Sequence, residues 1–195
     1  MKTPNFLTHY YDSESKPFLN IMDLFEDERL PIITSLNSKY EKGLTRRAFP
    51  EWYLIQRKNA EKRIRELFIE KGGKPNRNSP HYFCLGKSNL WTKTYLERTK
   101  FVSIPISNDE PDIFYSIGDS LWCFAKSEDP NQKWENQWFQ GTLFTLDEVE
   151  AILEELEIDL HKPETLQGKK IGYIEAFIWC DKTLNDLLIK NNVSL

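Results

Sequence analysis

A glutamate stands alone in an apolar, aromatic stretch near the end of the chain, Ile171-Gly172-Tyr173-Ile174-Glu175-Ala176-Phe177-Ile178-Trp179. Read as a strand, alternate residues point to opposite faces. Ile174, Ala176 and Ile178 then share one face, and Tyr173, Glu175, Phe177 and Trp179 the other. A carboxylate between large rings must be solvated, paired or put to use, because burying it alone is too costly. Glu175 is therefore the candidate catalytic residue. At the other end of the chain, Phe6-Leu7-Thr8-His9-Tyr10-Tyr11 places an imidazole on a strand. An imidazole, aromatic rings and a carboxylate are the parts that hold a nicotinamide dinucleotide (NAD). The His9 imidazole can bond a ribose hydroxyl, a tyrosine such as Tyr10 can stack on nicotinamide, and the Glu175 carboxylate can hold the second ribose hydroxyl. Breaking the glycosidic bond builds positive charge on the ribose, which a fixed carboxylate stabilises; the same group can activate a nucleophile. The structural alternatives are an edge position or ion pair for Glu175, with Arg46, Arg47 or Lys170, and a satisfied histidine beside the sheet for His9.

Other chemistries find less support. The three histidines (His9, His81, His161) do not pair with one another at metal-ligand spacing, so no metal site is expected. Cys84, Cys123 and Cys180 form no C-x-x-C pair and read as small buried hydrophobes. There is no G-x-S-x-G elbow, and Gly118-Asp119-Ser120 reads as a turn. The glycine fingerprints of doubly wound and P-loop nucleotide folds are missing too.

The elements that must position these residues are mixed in order. Strands are expected at Phe6–Tyr11, Pro80–Gly86, Phe101–Ile106, with Pro105 marking an edge or end, Ile113–Ile117 and Ile171–Trp179. Pro17 can open a short helix through Phe25, and Pro31 another, closed by Gly43. The clearest helix runs from about Pro50 to Lys71 and is stopped by Gly72-Gly73. Its core face is Tyr53, Ala60, Ile64, Leu67 and Phe68; Arg57, Lys58, Lys62, Arg63, Arg65 and Glu66 make the outer face. Leu121–Ala125 is strand or helix, and 126–141 a long loop. Thr145-Leu146-Asp147-Glu148 has capping-box spacing and opens a helix carrying Val149, Ile152 and Leu153. A terminal helix begins near Thr183. Without regular βαβ alternation, the expected fold is a single α+β domain over residues 1–195, with a mixed or mostly antiparallel sheet and flanking helices.

The chain has 195 residues, a net charge of −4 and 13% aromatic residues, which suits a core built on rings and argues against disorder. No apolar run approaches the roughly 20 residues that span a bilayer. With no apolar leader at its start, the chain reads as cytoplasmic. Charge is uneven: residues 39–77 hold 12 Lys/Arg against 5 Asp/Glu, a net of +7, and the rest carries −11. That asymmetry points to a polyanionic partner, nucleic acid through Lys39–Arg77, or simply to a long solvated helix. A binding protein without a catalytic site is the alternative to an enzyme, with Trp91, Trp134 and Trp138 as its partner surface.

Three stretches also resemble the DarT-type nucleic-acid ADP-ribosyltransferases. Phe6-Leu7-Thr8-His9-Tyr10 resembles their opening, histidine-bearing strand. Leu44-Thr45-Arg46-Arg47 lies where they carry an arginine, and Tyr173-Ile174-Glu175-Ala176-Phe177-Ile178 is similar to their glutamate strand. The resemblance implies an enzyme that consumes NAD, with Glu175 catalytic, His9 and Tyr10 contacting the dinucleotide and Arg47 holding its pyrophosphate. The family's asparagine-proline-arginine segment is replaced here by Tyr82-Phe83-Cys84-Leu85-Gly86. Pro-His-Tyr, Leu-Gly and Tyr-Ile-Glu landmarks also resemble a group of short, uncharacterised bacterial proteins, which implies no activity.

Overall fold

The computed structural model describes residues 3–107, 110, 112–124 and 138–193. Five strands form one antiparallel sheet: β1 (Phe6–Asp12), β2 (His81–Leu85), β3 (Thr99–Pro105), β4 (Ile113–Ile117) and β5 (Ile174–Ile178), in the order β3-β1-β2-β5-β4. The fold is α+β, as the mixed element order implies. Pro105 ends the edge strand β3, where its missing N–H costs the ladder nothing.

Register sorts the side chains between two layers. Leu7, Phe83, Val102, Ile104, Tyr115 and the Ile174/Ala176/Ile178 set face one core. That core is closed by α5 (Leu146–Glu155), capped by the Thr145/Glu148 box, and by α7 (Asp181–Lys190). On the other face Phe114, Phe177 and Trp179 pack under α2 (Glu51–Glu70), whose Ala60, Ile64 and Phe68 are fully buried. Phe68 meets Phe114 edge-on at 5.2 Å, a ring geometry that adds about 1 kcal/mol beyond area. The helix ends where Gly72 takes φ +91 and the Gly73 N–H reaches the Phe68 carbonyl, 2.9 Å away.

Several boundaries depart from the sequence reading. One helix, α1 (Glu26–Glu41), runs through Pro31, an interior position where the missing N–H gives up the backbone bond to Asp27. Only a short turn, Ile21–Asp23, forms where a helix was expected after Pro17. Two short helices are additional, α3 (Asn89–Thr92) and α6 (Pro163–Gly168). Of the undecided 121–125 segment, residues 121–124 are helical, in α4 (Ser120–Phe124), and Ala125 lies outside the described residues. Trp134 and most of the expected 126–141 loop lie outside the described residues. Trp138 is exposed; Trp91 is half-buried against the site described next. No helix among the described residues is long and apolar enough to cross a membrane.

Candidate functional site

The face of the sheet that carries Glu175 has a gap in its packing. Backbone pairing sets Ser103, Thr8, Cys84, Glu175 and Ser116 in one row across all five strands. All but Glu175 are small, so they leave headroom above the sheet. A cavity of about 150 Å³ occupies it, with Thr8, Cys84 and Glu175 in its floor. Its walls come from α1, the segment after α1, α2 and the residues around Trp91 and Tyr95.

The α2 wall is a stripe spaced four apart, Tyr53, Arg57 and Glu61. Arg57 was expected on the outer face; it is only 7% exposed. It sits in the core stripe because 53, 57, 60, 64 and 68 follow helical spacing without a break. Its Nη1 donates to Ser120 Oγ at 2.9 Å and to Tyr82 Oη at 3.2 Å, and its plane lies 5.0 Å from the Tyr82 ring. Arg57 Nε finds no acceptor among the described residues. Tyr82 in turn donates to Glu61 Oε1 at 2.7 Å. Burial pushes the Glu61 carboxyl up, against the pull of that bond.

Arg47 enters from the chain between α1 and α2. Thr45 and Arg46 both bond the Thr94 carbonyl, fixing where the Arg47 side chain starts. Its guanidinium donates to Tyr53 Oη at 2.8 Å and to Tyr95 Oη at 3.3 Å. It also lies over Phe49 (4.7 Å) and Trp91 (5.1 Å). Such cation–π contacts contribute about 1 kcal/mol each. No carboxylate among the described residues lies within 4.0 Å of either Arg47 or Arg57. Two permanent cations therefore border one cavity with no carboxylate of the described residues in contact with them.

Glu175 sits on β5, between β2 and β4, with 4% exposure. The turn after β4 is aimed at it. Gly118, at φ +108, lets the chain reverse into α4, and the Ser120 N–H then donates to Glu175 Oε2 at 2.8 Å. The carboxyl is pushed up to about 7, chiefly by burial and next by the Asp119 charge, while Arg57 and the Ser120 bonds pull it down.

The four residues singled out in the sequence occupy different positions. Glu175 and Arg47 face the cavity from the same side of the sheet, and Tyr10 shares that face. The Tyr10 hydroxyl accepts the Ser88 N–H at 3.0 Å, so it pins the loop after β2. His9 lines the cavity too, but alternation along β1 turns it to the opposite face from Thr8 and Glu175. It reaches in where β1 and β2 part, since only Leu7↔Leu85 and Thr8↔Cys84 pair. The Phe18 N–H donates to His9 Nε2 at 2.9 Å, so Nδ1 carries the proton and donates to the Tyr82 carbonyl, also at 2.9 Å. Both ring nitrogens are thus engaged by backbone. Burial holds His9 down to about 4, partly offset by the Tyr82 bond.

His9 is the clasp of a strap. Residues 13–24 cross from β1 to α1 and cover one side of the cavity with Lys16, Phe18, Asn20 and Met22. Phe18 takes φ +62, a region that costs a bulky residue about 1–3 kcal/mol. The His9 bond and ring contacts to His9 (4.7 Å) and Phe83 (5.7 Å) hold it there.

Part of the basic stretch 39–77 is engaged in ion pairs, while Lys42, Arg46 and Lys74 are exposed. Lys39 pairs with Asp12 and Glu14, Arg63 with Glu66 and Glu70, and Lys71 with Glu148. Arg77 bridges Asp23 and Asp181. With Arg47 and Arg57 turned to the cavity, Lys58 and Lys62 remain as exposed basic residues of α2. Sequence reasoning missed Arg57, Glu61 and Tyr82 as site residues, and read Asp119 only as a turn.

No family model, curated protein or solved structure matches this chain.

Proposed function

We propose that the cavity binds an anionic ligand of the phosphorylated-sugar or nucleotide class, with its phosphate on Arg47 and its sugar toward Glu175. The observation that carries this reading is the Arg47 guanidinium, bordered by rings and hydroxyls, at the wall of a cavity and without a carboxylate partner among the described residues. A cation so placed gains most from an anion that brings its own oxygens. Glu175 adds an acid–base group beside the polar floor of Thr8 and Cys84, suited to hold or protonate a sugar oxygen.

Size narrows the class. About 150 Å³ encloses a ribose phosphate or one heterocycle; sites for larger ligands run to roughly 300–1,000 Å³. NAD, the substrate implied by the resemblance to ADP-ribosyltransferases, is larger than this volume and would extend beyond the cavity. In such a transferase Glu175 would stabilise the ribosyl cation, while His9, engaged by backbone, would leave the ribose to other groups.

Calorimetry with ribose 5-phosphate, nucleoside monophosphates and NAD tests the reading. Binding weakened at least tenfold by Arg47→Met supports it; equal affinity for the variant, or no binding by any of the three classes, overturns it. Release of nicotinamide from NAD that disappears in Glu175→Gln would support the transferase form. Binding without turnover would make the protein a ligand-binding module instead.

A further inference from the structure

The Tyr173 hydroxyl lies between two carboxyl groups and has one proton to give. Its oxygen is 3.0 Å from Asp119 Oδ2 and 3.4 Å from Glu175 Oε1. The other oxygen of each carboxyl is already matched. Asp119 Oδ1 accepts the Leu121 N–H at 2.8 Å, and Glu175 Oε2 accepts the Ser120 N–H at 2.8 Å. If both acids were ionised, the phenol proton could serve only one of them, and Glu175 would keep just its bonds from Ser120. A buried acceptor whose bonds are left short is costly, the more so when it is charged. One added proton closes the chain: Glu175 Oε1–H donates to Tyr173 Oη, and Tyr173 O–H donates to Asp119 Oδ2.

The two acids are not equivalent. Glu175 is 4% exposed in the middle of the sheet, while Asp119 is half-buried at the turn before α4 and keeps contact with solvent. Charge is less costly on the wetter group. The shorter of the two contacts to Tyr173 also runs to Asp119, as expected for the charge-assisted bond. Arg57 favours the opposite assignment, but it already donates to Tyr82 and Ser120 and makes no direct bond to Glu175.

We propose that Asp119, Tyr173 and Glu175 form one proton-sharing relay, in which Glu175 faces the cavity as a neutral acid and the negative charge rests on Asp119. This rests on the reading of the cavity as a ligand site only for its use. There, the Glu175 proton turns from Tyr173 to a ligand oxygen, and Glu175 becomes a carboxylate. Asp119 then takes a proton from solvent and hands it to Tyr173 as Tyr173 passes its own to Glu175. Each group ends as it began, and one proton has moved from water to ligand. Glu175 would thus be a proton donor rather than a fixed negative charge. The groups that face it are Arg57 and Glu61 from α2, Tyr82 and Cys84 from β2, Asp119 and Ser120 from the turn, and Tyr173 on its own strand.

Infrared difference spectra of the ligand-free protein near pH 6 test this without any substrate. The expected result is a protonated-carboxyl band that vanishes in Glu175→Gln. In Asp119→Asn, removal of the neighbouring charge should shift the titration of that band to lower pH. Tyr173→Phe, which keeps the ring, should move the band's frequency, because the acid loses the oxygen it donates to. If the wild type shows no band that Glu175→Gln removes, or if the band is indifferent to both Asp119→Asn and Tyr173→Phe, the relay is refuted. Failure of every sugar phosphate and nucleotide to bind would leave the band in place, so the two readings fail separately.

Discussion

Replacing Glu175 with glutamine should unmask an opposing pH dependence that His9 carries. Glu175 is raised from an ordinary 4.5 to about 7, by burial first and the Asp119 charge second. The folded protein therefore keeps a proton that the unfolded chain has already released. Stability from this group is complete below about pH 4.5 and is lost as pH rises through 7. Over that window it amounts to about 3 kcal/mol. His9 is held down from 6.5 to about 4, again mainly by burial. Its contribution is complete above pH 6.5 and is lost as pH falls through 4, also about 3 kcal/mol. Between 4.5 and 6.5 the two slopes cancel. Glu175→Gln preserves shape and removes one of them. Urea unfolding at steps between about pH 4.5 and 7.5 should show the variant gaining on the wild type by about 3 kcal/mol toward high pH. The variant alone should lose stability on acidification from 6.5 to 4.5. A difference between the two proteins that stays constant across the window would refute the neutral, buried carboxyl.

Three further outcomes follow from the packing. His9→Phe keeps ring volume but removes both backbone bonds. It should cost about 1–3 kcal/mol and lower hydrogen-exchange protection of the Phe18 amide at least tenfold; unchanged protection would mean the strap is held by something else. Arg57→Met removes the bonds to Tyr82 and Ser120 and the main charge holding Glu175 down. The Glu175 titration should then move upward, read by carboxyl NMR, and a downward movement would contradict the assigned electrostatics. Gly73→Ala would place a Cβ 2.3 Å from the buried Phe68 ring, so a loss of about 1–3 kcal/mol is expected from overpacking. An unaltered melting temperature would show that the α2 terminus can yield.

Much of the scaffold was legible because local signals agreed with one another. The Thr145/Glu148 box, the Gly72-Gly73 stop and the alternation of Ile174, Ala176 and Ile178 each named an element that the fold contains. Pro31 was misread as a helix start because proline favours first turns, whereas here it sits inside α1, which tolerates the lost backbone bond. The 121–125 segment stayed undecided, since five apolar residues fit either period.

The candidate site was harder to read, and the reason is physical. Arg57 was assigned to solvent on charge alone, yet its position continues the 53, 60, 64, 68 spacing, and periodicity outweighed residue type. The cavity has its floor because Thr8 and Cys84 fall beside Glu175, in a row that Ser116 continues, and that adjacency is a property of strand register. Residues 8, 84, 116 and 175 are far apart in the chain, and no local rule aligns them. His9 shows the same limit from the other side. Alternation alone separates it from Thr8 and Tyr10, but only the pairing of Thr8 with Cys84, and of Cys84 with Glu175, reveals that Glu175 belongs to Thr8's face. A one-residue slip of β1 against β2 would exchange the two faces, bringing the imidazole to the carboxylate and turning Thr8 into the opposite core. What prevents the slip is Leu7, fully buried between Leu85 and Ile104. The separation of His9 from Glu175 is therefore enforced by an apolar side chain two residues away.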